Sequence, residues 1–318
     1  MESWKPTATN ETLRARAALY GAVRAFFAQR GVLEVETPIL SRHATVDRHI
    51  ESFSTASGSW LQTSPEFAMK RLLAAGSGPI YQVARVFRLE EQGRHHNPEF
   101  TMLEWYRPGF DHHALMSEID ALLAACGMDG MPCERLSYAQ AFERHAGFDP
   151  HALDAASLRA RLQSADIAEP IGVTPAEAAD RDFWLDLWMS YRVGPQLGGE
   201  RPTFVYDFPA SQAALSCIRA GNPPLAERFE LFWRGLELAN GFHELTDAGE
   251  QARRFQADQA WRQARHRVVP PYDRELIAAL QAGLPDCAGV ALGLDRLLML
   301  LQGLDSLAAT LTFPADRA

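Results

Sequence analysis

Cysteine is scarce in this chain. Its 318 residues contain four (Cys126, Cys133, Cys217, Cys287), with no CxxC pair and no regular spacing. That pattern excludes a disulfide framework and fits reduced thiols in a cytosolic protein. Long apolar runs are missing too: none approaches the ~18 residues a membrane-spanning helix needs. The opening MESWKPTATN has no charged segment leading into an apolar one, so a signal peptide is not expected. Positive charge is in deficit, with a net charge of −9. This argues against a broad nucleic-acid footprint, although a local basic patch stays open. There is no Pro/Gly/Ser-rich linker, no low-complexity tract and no internal repeat.

The rest is ordinary globular material, 47% hydrophobic and 22% charged, long enough to bury a sizeable core. Residues 10–30 have helical apolar spacing through Leu13, Ala17, Tyr20, Val23 or Arg24, and Phe27, with Gly31 as the stop. VLEVETPIL (32–40) reads as a short strand that Pro38 interrupts. WLQTSPEFAMKRLLAAG (60–76) starts extended and becomes a helix, with Ser64, Pro65 and Glu66 as its start signal. IYQVARVFRLE (80–90) and EFTMLEWY (99–106) read as two strands joined by a polar loop, and 113–126 reads as a helix. Residues 135–200 are Ala-rich and predicted helical, best patterned in FWLDLWMSYRVG (183–194). PTFVYDFP (202–209) is a predicted strand, and RFELFWRGLELANGF (228–242) two strands about a tight turn at Arg234–Gly235. Asp247 and Glu250 have capping-box spacing ahead of a charged helix. The tail runs from a buried strand, GVALG, into a helix, LDRLLMLLQG, closed by Gly303. Strands in hairpins with helices added between them predict an α+β fold with an antiparallel sheet.

Three stretches crowd chemistry together. In FRLEEQGRHHNPEFTMLEWY (87–106), strand parity places Arg88 and Glu90 on one face, and Phe100, Met102, Glu104 and Tyr106 together on the partner strand. A solvated sheet face could carry that set, but aromatics beside paired charges also suit a flat ligand such as a purine. The adjacent His95 and His96 lack the spacing of a chelating pair, and a phosphate contact or solvent exposure fits them better. In ELFWRGLELANGFHEL (230–245), the tight turn sets Phe232 opposite Glu237, with Glu230 its diagonal neighbour on the same face. Two carboxylates so placed are an acidic edge or a Mg²⁺ site. Glu244 would need a bulge at Asn240–Gly241 to reach that face. In GVALGLDRLLML (289–300), Arg296 lies in a helix's first turn, where the macrodipole disfavours a cation. It either pairs with Asp295 or faces an anion such as a polyphosphate.

RxFRxE…HNPEFTMLEWY, ELANGFHEL and GVALGLDR, in that order, resemble motif 2, the segment before motif 3, and motif 3 of class II aminoacyl-tRNA synthetases of the lysyl type. GVLEVETPIL resembles motif 1. The likeness covers residues 10–303. It implies a six-stranded antiparallel sheet flanked by helices, a homodimer, and activation of an amino acid by ATP with Mg²⁺. By family role, Arg88 clamps the α-phosphate and the attacking carboxylate, with Arg296 on the far phosphate as the second catalytic cation. Glu90, His96 and Asn97 lie in the ATP loop, Phe100 stacks on adenine, and Glu230 and Glu237 hold Mg²⁺. Glu66, Tyr106, Asn240, Phe242 and Glu244 match positions that hold lysine, with Glu244 facing the ε-ammonium.

Two features depart from the synthetase pattern. The motif 1 helix begins near residue 10, leaving no room for an N-terminal OB-fold that reads an anticodon, so 1–318 is expected to be a single catalytic domain. Ser64 and Ala291 stand where alanine and glycine are usual, and both changes fit an amino acid whose amino group is displaced from the α-carbon. With HNPEFTMLEWYRP and ELANGFHELTDA, these departures resemble the elongation factor P–lysine ligase family. That implies a cytoplasmic enzyme using (R)-β-lysine or lysine, with elongation factor P as acceptor and tRNA not expected. An enzyme that charges tRNA and a catalytically inactive lysine-sensing dimer are the competing readings.

Overall fold

The structure is a computed structural model that describes residues 4–128, 130 and 132–318; residues 1–3, the start of MESWKPTATN, lie outside it. The chain divides into two compact units, Met1–Gly130 with Glu244–Ala318, and Met131–His243.

The first unit opens with α1 (Asn10–Ala28), whose N-cap Thr9 accepts a hydrogen bond from the Thr12 amide. Gly31, at φ 64°, supplies the predicted stop. The buried stripe is Leu19, Val23, Phe26 and Phe27, so the apolar phase predicted through Leu13 and Ala17 is off by part of a turn. Phe27 stacks on Tyr81 at 4.4 Å and meets Trp105 edge-on at 5.4 Å. The predicted strand at 32–40 reduces to two short pieces, β1 (Leu33–Glu34) and β2 (Leu40–Ser41). β3 (Trp60–Leu61) pairs with β2. Next come α2 (Glu66–Ala74), β4 (Ile80–Phe87), β5 (Glu99–Pro108) and α3 (His112–Ala125).

The second unit consists of β6 (Glu134–Ser137), α4 (Tyr138–Ala146), α5 (Ala155–Leu162), α6 (Pro175–Ala179), α7 (Arg181–Trp188), β7 (Thr203–Pro209), β8 (Ile218–Arg219), β9 (Leu225–Trp233) and β10 (Leu236–His243). FWLDLWMSYRVG ends differently from the prediction: after α7 the chain widens to a π-turn at Met189–Val193 and tightens to a 3₁₀ turn at Gly194–Gln196. Trp184, Trp188, Phe142, Phe148 and Tyr138 fill this unit's core. Truncating either tryptophan to alanine should cost roughly 3–5 kcal/mol. β9 and β10 join through Arg234 and Gly235, at φ 51° and 73°, the two positive values of a type I′ hairpin turn.

The chain then returns to the first unit with α8 (Ala248–Ala264), α9 (Arg274–Gly283), β11 (Cys287–Gly293) and α10 (Leu294–Leu301). Asp247 caps α8 as predicted, accepting from the Glu250 amide at 2.9 Å. Gly303, at φ 62°, follows α10.

Six longer strands run antiparallel to their partners: β4 with β5, β5 with β11, β7 with β9, and β9 with β10. The sheet is nevertheless mixed rather than purely antiparallel. β1 lies parallel to β4, and β6 parallel to β7. Both parallel pairs occur where helices intervene in sequence, since a parallel neighbour requires a crossover rather than a hairpin. No helix among the described residues is long and apolar enough to cross a membrane.

Candidate active site

β5 carries the centre of the site in the first unit. Its register places Phe100, Met102, Glu104 and Tyr106 opposite Val86, Ala84, Gln82 and Ile80 of β4. On the other side Glu104 faces Ala291 and Tyr106 faces Gly289 of β11. Side chains two apart share a face, so Glu104, Tyr106, Phe100, Ala291 and Gly289 belong to one surface. Parity correctly grouped the β5 residues. It does not apply to Arg88 and Glu90, because β4 ends at Phe87 and both lie in the following turn.

Glu104 is 2% exposed and accepts two hydrogen bonds, from Ser64 Oγ on Oε2 and from Tyr106 Oη on Oε1, each at 2.7 Å. Burial, and then the charge of Glu66, push its carboxyl up to about 8 against those hydrogen bonds, and Glu244 adds to the rise. A protonated Glu104 can donate to either hydroxyl oxygen, so both charge states retain the two contacts. Ser64 also accepts from the Glu66 amide at 3.0 Å. Its hydroxyl is therefore directed at Glu104, and an alanine here would remove that donor.

Glu244 is 1% exposed, and its amide donates to the Cys287 carbonyl at 2.9 Å. Its Oε2 lies 2.6 Å from Lys70 Nζ, which also contacts Glu66 Oε1 at 2.6 Å. Burial alone would lower Lys70; the carboxylates of Glu244 and Glu66 outweigh it and raise it above the ordinary lysine range. Lys70 is a residue the sequence reading missed. Its only signal was the i, i+4 spacing from Glu66 in PEFAMK. Gly289 was missed as well: a Cβ there would sit 2.2 Å from the Tyr106 ring and 2.5 Å from Glu244 Oε1. Only a residue without a side chain lets β11 pass beneath this pair.

The loop between β4 and β5 gathers the other predicted residues of this unit. Arg88 reaches the Thr63 carbonyl at 3.4 Å and Glu91 at 3.0 Å, with its guanidinium 5.3 Å from the centre of the Phe100 ring. Glu90 is exposed. The imidazole of His96 is held below its ordinary range by desolvation and by Arg296. Arg296 Nε donates to the His95 carbonyl at 3.2 Å, so motif 3 and this loop meet directly. Asn97 is 9% exposed; its amide donates to the Glu99 carbonyl at 2.6 Å and accepts from the Ala315 amide at 3.0 Å. It frames the loop. Arg296 does not pair with Asp295. That carboxylate binds Arg16 at 2.6 Å and accepts from the Thr101 amide at 2.7 Å.

In the second unit, Glu237 stands opposite Phe232 and Asn240 opposite Glu230. The bulge falls between Glu237 and Ala239, at Leu238, and not at Asn240–Gly241 as the sequence suggested. Arg228 donates to Glu230 and, at 3.3 Å, to Asn240 Oδ1. Its guanidinium lies 4.6 Å from the Phe208 ring centre and 5.9 Å from that of Phe242. Burial pushes the Glu230 carboxyl up to about 7; Arg228 opposes this and the nearby Glu237 adds to it. A buried carboxylate with a second acidic group beside it is a donor set that fits a hard divalent cation.

The chain from residue 3 to 317 matches the family model of class II tRNA synthetases (D, K and N), and the protein belongs to that family. Its relatives include the elongation factor P–(R)-β-lysine ligases of Salmonella paratyphi B and Salmonella schwarzengrund. Each is 50% identical over 328 aligned positions, covering 99% of this chain and 98% of the relative. The enzyme of the same name from Salmonella heidelberg matches to the same extent.

Proposed function

We propose that this protein is a cytoplasmic ligase that activates (R)-β-lysine with ATP and transfers it to a lysine side chain of elongation factor P. One observation carries the reading. A chain 50% identical, nearly end to end, to enzymes of that name brings three carboxylates (Glu66, Glu104, Glu244) into one buried cluster whose charge suits a diamino acid.

The chemistry needs little covalent help from the protein. The substrate carboxylate attacks the α-phosphorus of ATP, the bond to the bridging oxygen breaks, and pyrophosphate leaves. Both reactants are anionic, so the step depends on charge neutralisation and alignment. Arg88 would hold the carboxylate against the α-phosphate and Arg296 would hold the far phosphate. Phe100 would stack on adenine, with Glu90, His96 and Asn97 shaping the loop around the nucleotide. Glu230 and Glu237 would hold Mg²⁺, which when bound neutralises phosphate charge. Glu244 and Tyr106 would receive the far ammonium, Glu66 the near one, and Asn240 and Phe242 the chain. Ser64 and Ala291 adjust the end of the pocket where a β-amino acid differs from an α-amino acid. The neutral ε-amine of the acceptor lysine then attacks the adenylate carbonyl. An amide forms, AMP leaves and a proton is released.

Leu33, Ile39 and Leu40 are 57%, 43% and 56% exposed around Pro38, an apolar strip that supports pairing of two copies through this segment. The test supplies ATP with either α- or β-lysine and then adds elongation factor P or tRNA. AMP release with β-lysyl factor is expected. Labelled tRNA with unmodified factor would overturn the acceptor, and no AMP release would overturn the enzyme.

A further inference from the structure

The function proposed above assigns no task to Lys70. A lysine four residues after a glutamate usually makes a solvated helix pair. Lys70 is instead 2% exposed, and its ammonium lies 2.6 Å from each of two carboxylates. Stability alone does not account for this. Apolar residues of similar volume replace a buried ion pair at little cost and often at a gain.

The charges facing this ammonium come from Glu66 on its own helix and from Glu244 ahead of α8. Glu104 and the Tyr106 hydroxyl of β5 interact with the same group of residues. Once Glu104 ionises, as a diammonium ligand favours, three carboxylates and one ammonium leave two net negative charges. A diamino acid brings two ammonium groups, while its carboxylate belongs to the reaction. Without Lys70, three carboxylates would share one buried space, and repulsion would make a second of them, besides Glu104, take up a proton. Glu66 and Glu244 would also lose the cation that fixes their positions.

We propose that Lys70 is a positioning and specificity-determining residue of the amino-acid pocket, clamping Glu66 and Glu244 in place and setting the pocket's charge to match a diamino acid. The proposal rests on the reading of Glu66, Glu104 and Glu244 as the amino-acid pocket.

The test is (R)-β-lysine-dependent pyrophosphate exchange by the full-length protein between pH 7 and 9, comparing wild type with Lys70→Met, Glu66→Gln and the double variant. Lys70→Met should raise KM for β-lysine at least thirtyfold, with kcat within a few-fold and KM for ATP unchanged. Its KM should fall more steeply with rising pH than that of the wild type, because a second carboxylate besides Glu104 must then ionise. Loss of folded protein alone would lower kcat and leave both KM values and their pH dependence in place, and that result would overturn the proposal. The double variant removes one charge of each sign, so its KM should lie at least tenfold below the product of the two single losses. It also covers a Lys70→Met protein that fails to fold. A double variant that folds and binds as Glu66→Gln does supports the clamp, whereas one that stays unfolded assigns Lys70 to packing and overturns it. A wild type without β-lysine-dependent exchange would overturn the function itself, and this proposal with it.

Discussion

Glu66, Lys70, Glu104, Tyr106 and Glu244 are placed by a helix, by β5 and by the segment before α8, and four of the five are at most 2% exposed. The loop from Arg88 to Pro98 belongs to the same unit, yet Glu90 and His96 stand at the surface. The first group is fixed by side-chain contacts of 2.6 to 2.7 Å among its own charged and polar members. The second takes its shape from a few backbone bonds, Arg88 to Pro98 and Gly93 with His96, and from Arg296 on the His95 carbonyl. The group we assign to amino-acid recognition is buried and tied by its own charged contacts, where an unmatched charge is most costly. The region we assign to ATP is more exposed, where a charge is cheaper to leave unmatched.

The largest effect should come from breaking the buried side. Glu244→Gln leaves Lys70 short of one carboxylate; breaking a buried pair costs about 3–5 kcal/mol. β-Lysine-dependent exchange should drop by roughly a thousandfold, while binding of an ATP analogue, measured by calorimetry, stays put. Unchanged exchange would remove Glu244 from the pocket. Gly289→Ala comes next. Its methyl must displace the Tyr106 ring and the Glu244 carboxylate, an overpacking of roughly 1–3 kcal/mol. KM for β-lysine should rise about tenfold to a hundredfold with KM for ATP constant.

The third prediction concerns protons. Burial and Glu66 raise the Glu104 carboxyl to about 8, so without ligand its protonated form prevails at pH 7. Binding a diammonium ligand favours the ionised form, so KM should fall up to about tenfold per pH unit as the pH rises toward 8, then level off. Calorimetry in buffers of different ionisation enthalpy should register close to one proton released per β-lysine bound at pH 7, and none in Glu104→Gln. The smallest effect belongs to the open side. Glu90→Gln should change KM for ATP only a few-fold and KM for β-lysine not at all, since exposed charges contribute about 0–1 kcal/mol.

Much of this architecture was legible from local pattern. The β5 face, the hairpin at Arg234–Gly235, the Asp247 cap and the Gly303 stop all depend on residues within a turn or a pleat of one another. Errors arose where that range was exceeded. The α1 stripe was misphased because what it packs against, Tyr81 and Trp105, lies far along the chain. The bulge fell at Leu238 because the register of β10 is set by its pairing with β9. Residues 135–200 are a crossover between the parallel strands β6 and β7, which Ala-rich helical pattern alone does not reveal.

The sequence by itself determined the order of the main elements, the motifs of the class, and the carboxylates and arginines proposed for its chemistry. Those follow from spacing and residue type. Tertiary structure alone decided how the charges pair. It brought Lys70 between Glu66 and Glu244, turned Ser64 toward Glu104, gave Asp295 to Arg16 instead of Arg296, and required a bare Cα at Gly289. Electrostatic partnership depends on distance and on exclusion of water, and neither exists until distant segments have packed.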